Sequence, residues 1–314
     1  GIKEMMNSEA HAELPSLSTK KVWAIGGGKG GVGKSLVSAN VAICLALMGH
    51  KVIAVDLDLG GANLHTCLGL PIPQVTLSDY VSKKITNFAD LLVSTPISNL
   101  KIISGAQDEL GMANLKHMHK NQIIRKLHEL DADYILFDLG AGTAFNTIDF
   151  FITADKGILV VLPEPTSIEN TYRFIKSVFY RRLKMVEGVS DIEHLINESM
   201  NAKVTAGQAS PAELMKKISE LNSDIGLRVR KEMAHFRPNL IINQVRSQAD
   251  IDIGYSIQSI CRKYFGIEMT FPGYLDYDQS VWQSVRKRKP LLIEYPNSKL
   301  VNNFDRIVNR LIES

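Results

Sequence analysis

The chain has 314 residues, 45% hydrophobic and 22% charged, a composition that excludes a disordered or collagen-like protein and supplies an ample core. Its 36 Lys and Arg against 33 Asp and Glu leave a formal charge of +3, too even to supply a bulk attraction for nucleic acid or membrane. The cysteines, Cys44, Cys67 and Cys261, form no C-x-x-C pair, which argues against a disulfide framework or zinc site and fits a reducing, cytoplasmic compartment.

Residues 1–20 are polar and aperiodic and read as a flexible tail ahead of one domain over 21–314. Val22 to Ile25 is a short apolar run, and it leads into Gly26-Gly27-Gly28-Lys29-Gly30-Gly31-Val32-Gly33-Lys34-Ser35. An apolar helical stretch follows to about Met48, with Gly49 as its C-cap. A second buried-type run, Lys51 to Val55, ends in Asp56-Leu57-Asp58. Further runs come at Leu100–Ile103, Tyr134–Phe137, Gly157–Leu162, Asn239–Ile242 and Glu268–Phe271. Short apolar runs alternating with helix-length segments predict an α/β fold: a mainly parallel, twisted sheet with helices on both faces. From about Arg181 to Arg237 the chain is polar without an evident strand. There Ser210-Pro211-Ala212-Glu213 has the form of a helix start, and Leu214, Ile218 and Leu221 share one face. The stretch 181–237 reads as a helical insertion, not a second domain.

Gly28 to Ser35 matches G-x-x-x-x-G-K-[ST] in full, with a strand before it and a helix after it. The backbone of Gly28, Gly30, Gly31, Val32 and Gly33 is then expected to curl its N–H groups toward phosphate oxygens, aided by the helix N-terminus. Lys34 would bridge the β- and γ-phosphates, and the Ser35 hydroxyl would bind Mg²⁺. Asp56 and Asp58 close one strand, and Asp138-Leu139-Gly140-Ala141-Gly142 closes another in the manner of a switch loop. A lone strand-end Asp is ordinarily a cap. Three beside a complete phosphate loop point to metal binding and water positioning, with Asp138 holding Mg²⁺ through water.

Lys29 is a second lysine that an ordinary phosphate loop does not require. Gly-Lys-Gly-Gly-x-Gly-Lys-[ST] resembles the deviant Walker A loop of the MinD/ParA family of ATPases, and the resemblance covers about Val22 to Ser314 apart from the insertion. It implies a P-loop NTPase fold of the SIMIBI type, ATP and Mg²⁺ as cofactors, and an ATP-dependent homodimer in which each Lys29 reaches the other subunit's phosphates. In that scheme Lys29, Lys34 and Asp58 are catalytic, Asp58 orienting the attacking water, while Asp56 supports the metal with Ser35 and Asp138. Asn63 would lie near the phosphates, Asn243 would bond adenine, and the Phe271 to Asp278 segment, Pro272 included, would flank the base. Asp276 stands where the family usually has Pro.

Several phrases look more like the FlhG/FleN flagellar-number regulators than like cell-division MinD: Asp138 to Gly142, Pro163 to Ile168, Asn243 to Ser247, and Glu294-Tyr295-Pro296-Asn297-Ser298-Lys299. The implied function is a slow, partner-stimulated ATPase switch controlling placement or number of a cellular structure such as flagella, with an unidentified protein partner. A ParA-like role in DNA or cargo partitioning is the alternative. Residues 1–20 lack the D-Q-A-x-x-L pattern with which FlhG proteins stimulate the GTPase FlhF. Leu300, Phe304, Ile307, Val308 and Leu311 form one apolar face with little lysine, so a core-packed terminal helix is expected and stable membrane anchoring is not. The basic clusters Arg286 to Lys289 and Arg181, Arg182, Lys184 read as solvated surface, which leaves DNA the less favoured partner.

Overall fold

The computed structural model describes residues 20–58, 61, 63–105, 117–201 and 210–314, so the expected tail lies, but for Lys20, outside the described residues. The chain runs β1 (Lys21–Gly26), α1 (Lys34–Leu47), β2 (Val52–Leu57), α2 (Leu64–Cys67), α3 (Leu77–Val81), β3 (Val93–Ser94), β4 (Leu100–Ile103), α4 (His117–Glu129), β5 (Tyr134–Leu139), α5 (Phe145–Thr153) and β6 (Lys156–Val161). It continues through α6 (Pro165–Leu183), α7 (Glu193–Asn201), α8 (Pro211–Leu221), α9 (Ser223–Ala234), β7 (Asn239–Val245), α10 (Gln248–Ile260), β8 (Thr270–Asp276), α11 (Gln279–Lys287), α12 (Leu291–Glu294) and α13 (Lys299–Glu313).

The eight strands form one sheet in the order β3-β4-β2-β5-β1-β6-β7-β8. All pairs are parallel except the short β3–β4 ribbon at one edge. Parallel strands covered on both faces read as near-continuous apolar runs, and β2 and β5 are buried throughout, with Asp56 and Asp138 the polar exceptions near their C-terminal ends. Alternate residues of each strand feed two separate cores. Val22, Ala24, Ile53, Val55, Ile135 and Phe137 pack with α4, α5, α6 and α10. Trp23, Ile25, Val52, Ala54, Tyr134 and Leu136 pack with α1 and α13.

The crossover from β6 to β7 carries the expected helical stretch. Its first residues belong to α6, which runs on to Leu183. At Ser210 the side chain accepts from the Glu213 N–H and the Glu213 carboxylate returns to the Ser210 N–H, with Pro211 at the first helical position. Leu214 and Ile218 of α8 and Ile225 and Val229 of α9 are buried in the same core as the strands they cover. Leu221 is exposed, because α8 ends there and Asn222 turns the chain to cap α9.

β8 begins later than the apolar run at Glu268–Phe271 and extends through Pro272 and Gly273 to Asp276. It is an edge strand with irregular pairing to β7, a place where a proline without an N–H costs the ladder little. α13 buries Leu300, Val301, Phe304, Ile307, Val308 and Leu311 against α1 and β8. Among the described residues no helix is long and apolar enough to cross a membrane.

Candidate functional site

The parallel sheet brings the C-terminal ends of β1, β2, β5, β7 and β8 to one edge, where ligands gather in open α/β sheets. β1 delivers the glycine loop there and α1 leaves from it. Gly33, at φ 95°, is the N-cap, and neither a side-chain cap nor a first-turn acid neutralises the helix start. The first N–H groups of α1 are thus open to an anion. Glycine at 28 has a second cause besides loop curvature: a Cβ there would sit 2.0 Å from the backbone oxygen of Asn170 on α6.

Lys34 is buried, and its ammonium donates to the Lys29 carbonyl at 3.3 Å. Burial lowers its pKa, while Asp138 and then Asp58 pull it back up, which places both carboxylates in the field of this lysine. Asp138 is fully buried at the end of β5. Ser38 donates to its Oδ1 at 2.9 Å, and Oδ2 has no hydrogen-bond partner. Burial raises this carboxyl to about 6, against the opposing pull of the Ser35 and Ser38 hydroxyls and Lys34. Asp56 faces Asp138 across the β2–β5 register and is itself pushed well up by burial and by Asp138.

The two carboxylates differ in what they do. Both oxygens of Asp56 already accept backbone N–H groups, from Asp58 at 3.1 Å and Leu64 at 3.2 Å. Asp56 therefore ties down the chain that follows β2, and each of its oxygens keeps a lone pair for the metal shell that the resemblance expects it to support. Asp138, with an orphaned buried oxygen next to the Ser35 hydroxyl, retains the hard-oxygen donors that suit Mg²⁺. Among the described residues no group of three or more His, Cys, Asp or Glu could cage a metal by itself. Asp58 lies against Gly140, where a Cβ would be 3.1 Å from its Oδ1, and the switch-like loop touches the glycine loop through Gly142 N–H to Gly27 O at 3.4 Å.

Beside the loop opens a cavity of about 670 Å³ whose lining includes Gly31, Gly33, Leu36, Asn243, Asp276, Tyr277, Trp282 and Val285. Asn243 is buried, donates to the Val32 carbonyl at 2.8 Å and accepts from the Gln244 N–H at 2.9 Å. One N–H and one lone pair of its amide remain for a ligand. The resemblance expects Pro272 beside the base. It lies buried early in β8, its carbonyl accepts from Arg310 at 2.8 Å, and it is not among the cavity-lining residues. The chain reaches the cavity at Asp276, at the far end of that strand, because the strand continues past the Pro-Gly pair. Asn63 is exposed and donates to the Gly61 carbonyl at 2.8 Å, and it too is outside the cavity lining.

Lys29 points to the start of α6, where its ammonium meets Glu164 at 3.3 Å and the Thr166 hydroxyl at 3.1 Å. Sequence reasoning places Glu164 and Thr166 in the Pro163 to Ile168 segment and gives them no role at the loop. It missed Ser38, which shares a helix face with Lys34 and Ser35, and it missed Trp282. The available signal for Trp282 was a conflict in α11, whose apolar Trp282 and Val285 compete with Ser280 and Ser284 for the buried face.

A profile of a protein family described as an AAA domain matches residues 20–187. The antiactivator FleN of Pseudomonas aeruginosa is 26% identical over 304 residues, covering 95% of this chain and 89% of that protein. The septum site-determining protein MinD of Helicobacter pylori is 32% identical over 186 residues, 59% of this chain and 69% of its own length. Among solved structures, MinD from Pyrococcus horikoshii complexed with Mg-ADP superposes with a TM-score of 0.64 at 23% identity, covering 93% of this chain and 96% of that one.

Proposed function

This chain belongs to the AAA-domain family of MinD/ParA-type P-loop proteins, and from that premise we propose that it is an ATP-operated regulatory switch of the FleN/MinD kind. ATP binding drives homodimerisation, the dimer presents a surface to a protein partner, and slow hydrolysis resets it. The observation that carries this reading is the loop itself. It supplies an uncapped helix N-terminus, a buried Lys34 facing Asp138 and Asp58, and a second lysine, Lys29, on its rim. The similarity to an antiactivator along nearly the whole chain supports a regulator over a metabolic enzyme.

Each residue then has a task. The α1 N-terminus and Lys34 hold the phosphates, and Lys34 offsets charge that develops on the transferred group. Asp138 and Ser35 would hold Mg²⁺, which supplies charge neutralisation between the phosphates when bound. Asp58, on the loop after β2, positions the attacking water. Lys29 leaves Glu164 and Thr166 to reach the nucleotide of the second subunit. The basic clusters that would favour a DNA role are largely paired within the chain. Arg181 meets Asp149, Arg182 meets Glu232, and Lys287 and Lys289 share Glu294.

Size-exclusion chromatography of Asp58→Ala with Mg²⁺ and ATP tests the switch. Loss of the water-positioning carboxylate is expected to slow turnover about 100-fold or more and to trap a dimer. Adding Lys29→Ala to that variant is expected to return it to monomer while ADP still binds. An Asp58→Ala protein that stays monomeric with ATP would overturn the proposal.

A further inference from the structure

α11 is built inside out. It buries Ser280 and Ser284 and leaves Trp282 64% and Val285 42% exposed. A surface tryptophan on a short helix is ordinarily free to turn inward by rotation of the helix about its axis. Here a polar network holds the start of the helix. Asp278 caps the helix through the Ser280 N–H at 2.8 Å and accepts from the Ser298 hydroxyl at 2.7 Å. Ser298 in turn accepts from the Leu300 N–H at 3.1 Å and so caps α13. The small Ser280 and Ser284 allow the close approach that this network needs. The cap of α11 is thus joined through Asp278 to the cap of α13, with Ser280 and Ser284 inward and Trp282 outward.

What Trp282 faces is the cavity beside the glycine loop. Its lining brings together Gly31, Gly33 and Leu36, from the glycine loop and the uncapped start of α1, with Tyr277, Val281, Trp282 and Val285, from the segment after β8 and α11. A phosphate-binding loop and a flat aromatic ring lining one cavity of about 670 Å³ match the two chemistries of a nucleotide, and the size is that of a small-ligand site. The Arg286 guanidinium sits 5.1 Å from the indole centroid and covers one face of the ring, so a planar ligand has the other.

We propose that Trp282 is a base-stacking residue of this site, holding the purine of a bound adenine nucleotide against its indole while the loop holds the phosphates. The inference rests on the nucleotide reading above and adds a contact from outside the loop. It makes Trp282 a determinant of preference for nucleotides over bare polyphosphate. Stacking on an aromatic side chain supports a loss of about tenfold in affinity when the ring is removed.

The molecule provides its own probe, because the second tryptophan, Trp23, is 2% exposed in the central strand. Indole emission is followed during titration with Mg-ADP and with Mg-pyrophosphate, and binding of each is measured independently by calorimetry. The expected result is a change in emission with ADP and not with pyrophosphate, abolished in Trp282→Phe. Trp282→Ala is expected to bind ADP about tenfold more weakly and pyrophosphate as the parent does. ADP binding by calorimetry with unchanged emission, and equal ADP affinity in Trp282→Ala, would overturn the stacking role and leave the nucleotide reading standing. Failure of the parent chain to bind either probe would overturn both.

Discussion

Asp138 concentrates the electrostatic problem of the site in one residue. Its carboxyl titrates near 6 in the folded chain against an ordinary 3.8, because burial disfavours the charged form more than Ser35, Ser38 and Lys34 favour it. Between those two pH values the folded state holds a proton that the unfolded state has lost, so this residue's contribution to stability falls as pH rises through the window. Above it the ionised group is a net cost in the metal-free protein. Asp138→Asn is therefore expected to raise the melting temperature by a few degrees at about pH 7.5 and to flatten its decline between about pH 4 and 6. Thermal melts of both proteins across that range check this, and a variant that melts lower at about pH 7.5 would refute it. Lys34, Ser35 and Asp138 were legible in the sequence because the phosphate loop and a strand-end Asp are local patterns. Ser38, Glu164 and Trp282 were not, since packing between elements brings each to its place. The distance of Pro272 from the cavity lining was illegible for a related reason: a local pattern marks a segment and does not say which end of a strand reaches the cavity.

At the scale of elements, the continuous apolar runs foretold six of the strands within a few residues, because a doubly covered parallel sheet leaves few polar positions to blur them. β8 shifted because Pro-Gly reads as a breaker, and only the edge position of the strand makes it tolerable. β3 has two residues, too few to show any pattern. The terminal helix shows the opposite case, a strong amphipathic pattern open to two destinations, membrane or core. Phe304 has 0% exposure and packs in the core shared with α1. Phe304→Ala is expected to cost about 3–5 kcal/mol of unfolding free energy. Urea denaturation measures it, and a loss below about 1 kcal/mol would show that α13 contributes little to the fold.

Across the whole molecule, each face of the sheet carries one core that includes residues from distant parts of the chain. The helices between β6 and β7 have no core of their own; Leu214, Ile218, Ile225 and Val229 share theirs with Ile135 and Phe137. We therefore expect residues 21–314 to unfold as one unit. In a Trp282→Phe background, emission from Trp23 in β1 and helical circular dichroism should report the same denaturant midpoint. An earlier helical transition would mark the insertion as separately folding.

One further consequence belongs to α6. Its 19 residues make a rod of about 28 Å, clamped in the middle by Phe174 and Val178, both with 0% exposure. At its start stand Glu164 and Thr166, which hold Lys29, and Asn170, whose carbonyl abuts Gly28. Near its end Tyr180 bonds Ser199 and Arg182 pairs with Glu232. The same helix also buries Ser167 and Thr171 toward its start and Phe179 and Leu183 toward its end, so one continuous packed face joins the residues that touch the glycine loop to those that touch the outer helices.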